Sequence, residues 1–98
     1  MSYIQTHYDE PLSLGDIASY IGMSEQHLIR TFRKESGVTP IEYLKRYRIR
    51  QAKQLLAAGS LSITKVAMAV GFSDSSYFAR VFRREVGMSP SAYQSRGP

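Results

Sequence analysis

The sequence predicts an all-α protein of about seven helices, on three observations. Residues that start or stop helices recur along the chain, and the apolar residues between them follow helical spacing. No segment shows the sustained alternation of apolar and polar residues that is typical of β-strands. Finally, "FRKESGVTP", which begins at Phe32, returns as "FRREVGMSP" from Phe82. A period of about 50 residues that occurs only twice indicates a duplicated supersecondary unit, because solenoids need three or more copies.

The first copy contains two helices joined by a tight turn, after a short helix at the start of the chain. Ser13 is the predicted N-cap of the earlier of the two, and Gly22 ends it. Ser24 is the predicted N-cap of the next helix, over about residues 25–36. Gly37 ends this helix, because glycine closes a helix C-terminus without a clash of Cβ.

A long connector helix is predicted over residues 40–58, since this stretch has strong helix formers and no internal glycine or proline. At 1.5 Å per residue, its roughly 18 helical residues span about 27 Å. The connector either holds the two copies at a fixed separation or is simply a long core helix that bridges them, and both descriptions can hold together.

The second copy repeats the pattern of the first. Ser62 is the predicted N-cap of its first helix and Gly71 ends that helix. Either Asp74 or Ser73 caps the following helix, over about residues 74–85. Pro90 is suited to the first turn of a last short helix.

Each copy is therefore predicted to be a helix-turn-helix unit. Alanine stands four residues before the glycine of each turn, at Ala18 and Ala67, where a small side chain allows the second helix to approach closely. We divide the chain into a first subdomain over residues 1–39, the connector helix over residues 40–58, and a second subdomain over residues 59–98.

Composition excludes several classes of function. The chain has no cysteine, so it has no disulfide, no thiolate metal site and no thiol nucleophile. It has no glycine-rich phosphate loop and no nucleophile motif, and the isolated His7 and His27 make no metal site. We therefore expect no enzyme activity, no cofactor and no metal. No apolar run has the roughly 20 residues of a membrane span, and no signal peptide is evident, so we expect a cytoplasmic protein without membrane contact.

The charge pattern favours a polyanionic partner. Thirteen Lys and Arg against eight Asp and Glu give a net charge of +5 and a pI near 9.7. The basic residues concentrate within residues 30–53 and again within residues 80–84, at equivalent positions of the repeat. A single such cluster is as well explained by a solvated helix face, but two equivalent clusters indicate a binding surface for nucleic acid.

Two long motifs resemble the DNA-binding domain of the AraC/XylS family of bacterial transcription regulators. They are "LSLGDIASYIGMSEQHLIRTFRKESGVTPIEYL" and, more diagnostically, "ITKVAMAVGFSDSSYFARVFRREVGMSPSAY". The resemblance implies a monomeric seven-helix domain that binds double-stranded DNA and regulates transcription, the second helix of each unit entering the major groove. It also implies contact with RNA polymerase. The family's domain usually follows a sensing or dimerisation domain, so we expect, as a hypothesis, that this chain is an excised C-terminal domain.

The resemblance also assigns contacts to individual residues. In the first recognition helix Gln26, Ile29 and Arg30 are expected to meet base edges, since they lie outward when Leu28 and Phe32 face inward. Gln suits adenine, Arg suits guanine, and Ile can touch a thymine methyl group. Glu25 either accepts a hydrogen bond from cytosine or interacts favourably with the helix dipole at the start of its own helix. In the second recognition helix the expected base contacts are Ser75, Ser76 and Arg80, the two serines being equally suited to phosphates or water.

A second group of residues is expected to contact the DNA backbone, which fixes register without carrying sequence information. Its members are Ser24, Arg33, Lys34, Lys45, Arg46, Ser73, Tyr77, Arg83 and Arg84. For Arg33 and Arg83 the alternative is an ion pair within the fold.

Two other binding functions remain open from the sequence. RNA binding is compatible with any basic helical domain, but RNA readers usually display aromatic stacking platforms, whereas most aromatic residues here have core spacing. A protein-interaction module is the other alternative, and it is partly complementary to DNA binding.

Overall fold

The computed structural model describes residues 2–96, and this part of the chain is all-helical. Met1, Gly97 and Pro98, which the predicted domain includes, lie outside the described residues. The seven helices of the described range are α1 (Ser2–His7), α2 (Leu14–Ile21), α3 (Glu25–Ser36), α4 (Pro40–Ala58), α5 (Ile63–Ala69), α6 (Ser75–Val86) and α7 (Pro90–Arg96). The predicted fold class is thus confirmed.

The predicted N-cap of α2 forms a reciprocal capping box. The backbone N–H of Asp16 donates to the Ser13 hydroxyl at 3.0 Å, and the N–H of Ser13 donates to the Asp16 carboxylate at 2.9 Å. Two N–H groups that the helix itself leaves without partners are thereby satisfied. The hydrogen bond that the Ser13 N–H donates to the carboxylate holds the pKa of the Asp16 carboxyl below its ordinary value, and the Ser13 side chain lowers this pKa further.

The N-terminus of α6 is capped by Asp74, which resolves the alternative that the sequence left open. Its Oδ1 accepts hydrogen bonds from the N–H groups of Ser76 at 2.8 Å and Tyr77 at 3.3 Å. The helix itself begins at Ser75, one residue later than the sequence predicted. Ser73 is exposed and takes no part in the cap.

Replacement of Asp74 by alanine is expected to lower the free energy of unfolding by about 1 kcal/mol, because two N–H groups at the start of α6 lose their acceptor. For a domain of this size that corresponds to a fall in Tm of roughly 5 °C in a calorimetric scan. Ser73→Ala is the matched control and should change stability by less than about 0.5 kcal/mol. A larger loss for Ser73→Ala than for Asp74→Ala would show that the wrong residue had been identified as the cap.

Apolar residues form two cores, and α4 contributes to both. The first core consists of Ile4, Ile17, Ala18, Leu28 and Leu44. The second core consists of Ile49, Ala52, Leu56, Val66, Ala67, Val70, Phe72, Phe78, Val81 and Phe82. Since the first half of α4 packs into one core and the second half into the other, this helix fixes how far apart the two helix-turn-helix units lie.

The repeated Pro-x-x-Tyr positions anchor each core with an aromatic pair. Tyr43 meets the ring of Phe32 edge-on, with 5.5 Å between centroids, and Tyr93 meets Phe82 in the same way at 5.6 Å. The two pairs differ in burial, because Phe82 is wholly buried and Phe32 only partly.

Among residues 2–96, none of the helices is both long and apolar enough to cross a membrane.

Candidate nucleic-acid interface

The outer face of α3 carries the residues for which base contacts are predicted. Leu28 is buried in the first core, which turns the opposite side of the helix outward. Gln26, Ile29, Arg30 and Arg33 follow one another at the i, i+3, i+4 and i+7 positions and so share one face. Three of them are exposed and Ile29 is half-buried. We call these four residues the outer stripe of α3.

The outer face of α6 has the same arrangement. Phe78 and Phe82 are wholly buried, and the equivalent outward positions are Ser76, Ala79, Arg80 and Arg83. We call these four residues the outer stripe of α6. Ser76, Arg80 and Arg83 are exposed, whereas Ala79 and the neighbouring Ser75 are half-buried. Each stripe therefore presents two arginines at matching positions, together with short or uncharged side chains.

Glu25 turns towards α2 rather than along the outer stripe. A Cβ atom placed on Gly15, in the first turn of α2, would lie 3.2 Å from the Glu25 Oε2 atom. The carboxylate thus lies beside the N-terminus of α2 and also in the first turn of its own helix. Both helix dipoles favour a negative charge there, which supports the dipole role over a contact with cytosine.

The ring of Tyr77 lies next to two other predicted DNA contacts, Arg80 and Lys45. The Arg80 guanidinium lies over its ring at 5.6 Å from the centroid, and the Lys45 ammonium of α4 lies 5.7 Å from the same centroid. Tyr77 is half-buried and packs against Phe72. The ring therefore limits the positions open to Arg80 while leaving its guanidinium exposed.

Two of the predicted backbone contacts are engaged by carboxylates of the fold. Glu85 lies 3.5 Å from the side chains of both Arg46 and Arg84, and Arg84 also lies 4.0 Å from Glu42. About half of each arginine side chain stays exposed, at 53% for Arg46 and 55% for Arg84. Exposed ion pairs of this kind add little stability, so their main effect is to neutralise local positive charge.

Arg33 and Arg83, in contrast, have no carboxylate within 4.0 Å in the described part of the chain. Both are exposed. The alternative of ion pairs within the fold therefore finds no support for these two residues, and their charges remain available to an external anion.

The remaining predicted backbone contacts lie at helix ends or on open surface. The Ser24 hydroxyl accepts the N–H of His27 at 3.1 Å, so it caps α3 and keeps its own hydrogen free to donate. Ser73 and Lys34 are exposed.

Of the two histidines, His7 pairs with Glu10 at 2.9 Å, and His27 is exposed.

Arg48 has a role that sequence reasoning missed. Its Nε atom donates to the carbonyl of Tyr8 at 2.7 Å and its Nη2 atom donates to the carbonyl of Glu10 at 2.8 Å. The guanidinium also lies over the ring of Phe72, 5.6 Å from its centroid. Burial lowers the pKa of this guanidinium, although arginine remains charged at neutral pH. The sequence shows only one more basic residue in α4.

Comparison with known proteins places this chain among helix-turn-helix transcription regulators. A model of the helix-turn-helix domain matches residues 17–96. The HTH-type transcriptional regulator YpdC of Escherichia coli (strain K12) is 36% identical over 95 residues, which cover 97% of this chain and 33% of that protein. The chain spans between 31% and 38% of the length of YpdC and of two further relatives.

Solved structures agree with this result. A transcriptional regulator of Chromobacterium violaceum with an AraC-type DNA-binding domain has a TM-score of 0.88 and 34% identity, covering 97% of this chain and 85% of that one. The DNA-binding domain of AdpA, a global transcriptional factor solved in complex with a target DNA, has a TM-score of 0.93 and 30% identity, covering 97% and 86%. Since the sequence motifs, the seven helices and these likenesses agree, the chain belongs to the AraC/XylS family of transcription regulators as a helix-turn-helix DNA-binding domain.

Proposed function

We propose that this domain binds double-stranded DNA sequence-specifically and regulates transcription, with α3 and α6 inserted in successive segments of the major groove. The observation that carries the proposal is the equivalence of the two outer stripes, which repeat an exposed arginine pair on one domain. Successive major-groove segments on one side of B-DNA lie about 34 Å apart. The domain is 42 Å long, and the 19 residues of α4 span about 28 Å, so its dimensions suit that spacing.

Direct readout in this proposal comes mainly from the outer stripe of α3. The Arg30 guanidinium suits a bidentate contact with guanine, the Gln26 amide suits one with adenine, and Ile29 offers an apolar contact to a thymine methyl group. In α6, Arg80 is the principal base contact, held against Tyr77. Ser75 and Ser76 are short and reach bases only where the helix lies close to them.

The backbone contacts in this proposal fall into two groups. Lys34, Arg33 and Arg83 are exposed without an ion pair among the described residues, so their full charge is available to phosphates. Arg46 and Arg84 reach phosphates from within ion pairs, at reduced effective charge. Lys45, half-buried over Tyr77, adds one further cation. Uncharged contacts from Ser24, Ser73 and Tyr77 complete the set and fix register rather than affinity.

We further propose that the division into residues 1–39, 40–58 and 59–98 corresponds to two reading units and their connector. The domain acts as a monomer in the cytoplasm without catalytic activity. RNA polymerase is the expected protein partner at a promoter. Because the curated relatives are about three times as long, a sensing or dimerisation domain would supply the regulatory signal.

Arg80→Ala tests base reading by α6. With duplexes selected from a random library by the wild-type domain, we expect this change to cost about 1–3 kcal/mol and to relax preference at one base pair. Lys34→Ala should weaken binding to all duplexes by a similar factor, since a phosphate contact carries no sequence information. Affinities of both variants for the selected duplex and for its single-base variants give the comparison.

Two outcomes would contradict the proposal. If Arg80→Ala lowered the affinity for every duplex by the same factor, Arg80 would not contact a base. Tighter binding of the wild-type domain to single-stranded RNA than to any selected duplex would replace DNA by RNA as the ligand.

A further inference from the structure

We infer that Arg48 is a positioning residue, which sets the orientation of the second helix-turn-helix unit relative to the first and thereby allows both outer stripes to engage one duplex. The inference rests on the proposed function, since it concerns simultaneous contact at two sites. Its structural part, the fixed orientation, stands on contacts that do not depend on DNA.

Arg48 extends from the middle of α4 to the segment that joins α1 to α2. Both of its acceptors are main-chain carbonyls, those of Tyr8 and Glu10, and they lie 40 and 38 positions away along the chain. A guanidinium is a planar fork with donors in fixed directions. Two hydrogen bonds from one fork therefore fix the direction of the segment as well as its distance from α4.

The same guanidinium meets the turn between α5 and α6. It lies over the ring of Phe72, which is itself buried in the second core. At the neighbouring Gly71 a Cβ atom would lie 2.6 Å from the Tyr8 carbonyl oxygen and 2.8 Å from the Arg48 Nε atom. Only a glycine fits this position, where φ is also +102°, so the backbone of the turn lies directly against Arg48 and residue 8.

Tyr8 completes this junction from the other side. Its side chain packs against both cores and meets the ring of Tyr47 edge-on, with 5.1 Å between centroids. The junction of Tyr8, Arg48, Gly71 and Phe72 is thus a direct contact between the two units besides their shared helix α4. It lies two residues before Asp74, which caps α6, so a shift at the junction moves the start of α6.

The two units must engage DNA at sites about 34 Å apart, and a small rotation of one unit displaces its helix by several ångströms at that distance. Linked binding sites lose their joint affinity when geometry prevents simultaneous engagement. Arg48 should therefore matter for binding across two groove segments and not for binding to one.

The orientation can be measured directly because the chain has no native cysteine. Spin labels at Ser19→Cys in α2 and Thr64→Cys in α5, both exposed positions, report the distance between the units by double electron–electron resonance. We expect a narrow distribution in the parent and a distinctly broader or shifted one with Arg48→Met, which keeps an unbranched stem as far as the position of Nε and removes the donors. Arg50→Met is the control, since Arg50 contacts Tyr47 of its own helix. Arg48→Lys, which can still donate to one carbonyl, should restore part of the narrow distribution.

The same variants are then measured on two duplexes, the selected duplex and one in which the half bound by α6 is scrambled. We expect Arg48→Met to weaken binding to the intact duplex by about tenfold or more relative to Arg50→Met, and to leave binding to the half-scrambled duplex within about twofold. An unchanged distance distribution in Arg48→Met, or equal weakening on both duplexes, would overturn the inference.

If the wild-type domain binds no duplex, the proposed function fails, and the distance measurement still decides whether Arg48 fixes the orientation. Circular dichroism of each variant shows that it is folded.

Discussion

Replacement of Phe82 by alanine is expected to lower the free energy of unfolding by about 3–5 kcal/mol. Phe82 is wholly buried in the second core, where its ring contacts those of Phe78 and Tyr93, with 5.7 and 5.6 Å between centroids. Alanine would leave a cavity that the surrounding rings fill only in part. Since small domains have a total stability of about 5–15 kcal/mol, the variant would lose much of its margin. Urea unfolding followed by circular dichroism measures the change.

The repeat supplies a matched control for this prediction. Phe32 occupies the equivalent position in α3 and contacts Tyr43 in the same edge-on manner, but it is only partly buried. Phe32→Ala removes the same atoms with less loss of buried area, so its cost should be clearly smaller than that of Phe82→Ala. An equal or greater cost at Phe32 would contradict the view that the difference in burial between the two phenylalanines sets the cost.

The helices could be predicted closely because their ends depend on local chemistry. Ser13, Ser24 and Ser62 were identified as N-caps from the sequence, and each accepts a backbone N–H in the structure. At α6 two polar residues stand side by side, and either could have been the cap. Only the path of the chain decides that Asp74 and not Ser73 points back at the helix, so local sequence could not resolve this end.

The outer stripes could also be predicted, because buried Leu28 and Phe78 determine which side of each helix faces outward. The basic residues of α4 could not be assigned in the same way. Successive positions differ by about 100° around a helix, so residues that look alike in the sequence meet different neighbours. Arg46 meets a carboxylate of α6, Arg48 meets two carbonyls beyond α1, and Arg50 meets a ring of its own helix. Contacts between residues so far apart in the chain leave no periodic signal.

The affinity of the domain for duplex DNA is expected to fall by about 10³–10⁵ between 50 mM and 200 mM salt. Contacts to roughly 6–10 phosphates would release the counterions that produce such a slope. The described residues supply suitable cations in Arg33, Lys34, Lys45 and Arg83, in addition to the two arginines that Glu85 partly neutralises. Titration of the selected duplex at several salt concentrations measures the slope, and a flat dependence would contradict a phosphate-contacting surface.

Glu85→Gln tests whether the ion pairs withhold charge from the DNA. Glutamine keeps the shape of the side chain and removes the carboxylate that lies 3.5 Å from both Arg46 and Arg84. We therefore expect tighter binding at low salt and a slope of log affinity against log salt that is steeper by up to about 2. Glu35→Gln removes the same charge at the equivalent position of α3, where Glu35 has no cation within 4.0 Å among residues 2–96, and should change the slope little. If both variants steepen the slope equally, only net charge matters. If only Glu85→Gln steepens the slope, Glu85 weakens the sequence-independent part of DNA binding by neutralising Arg46 and Arg84.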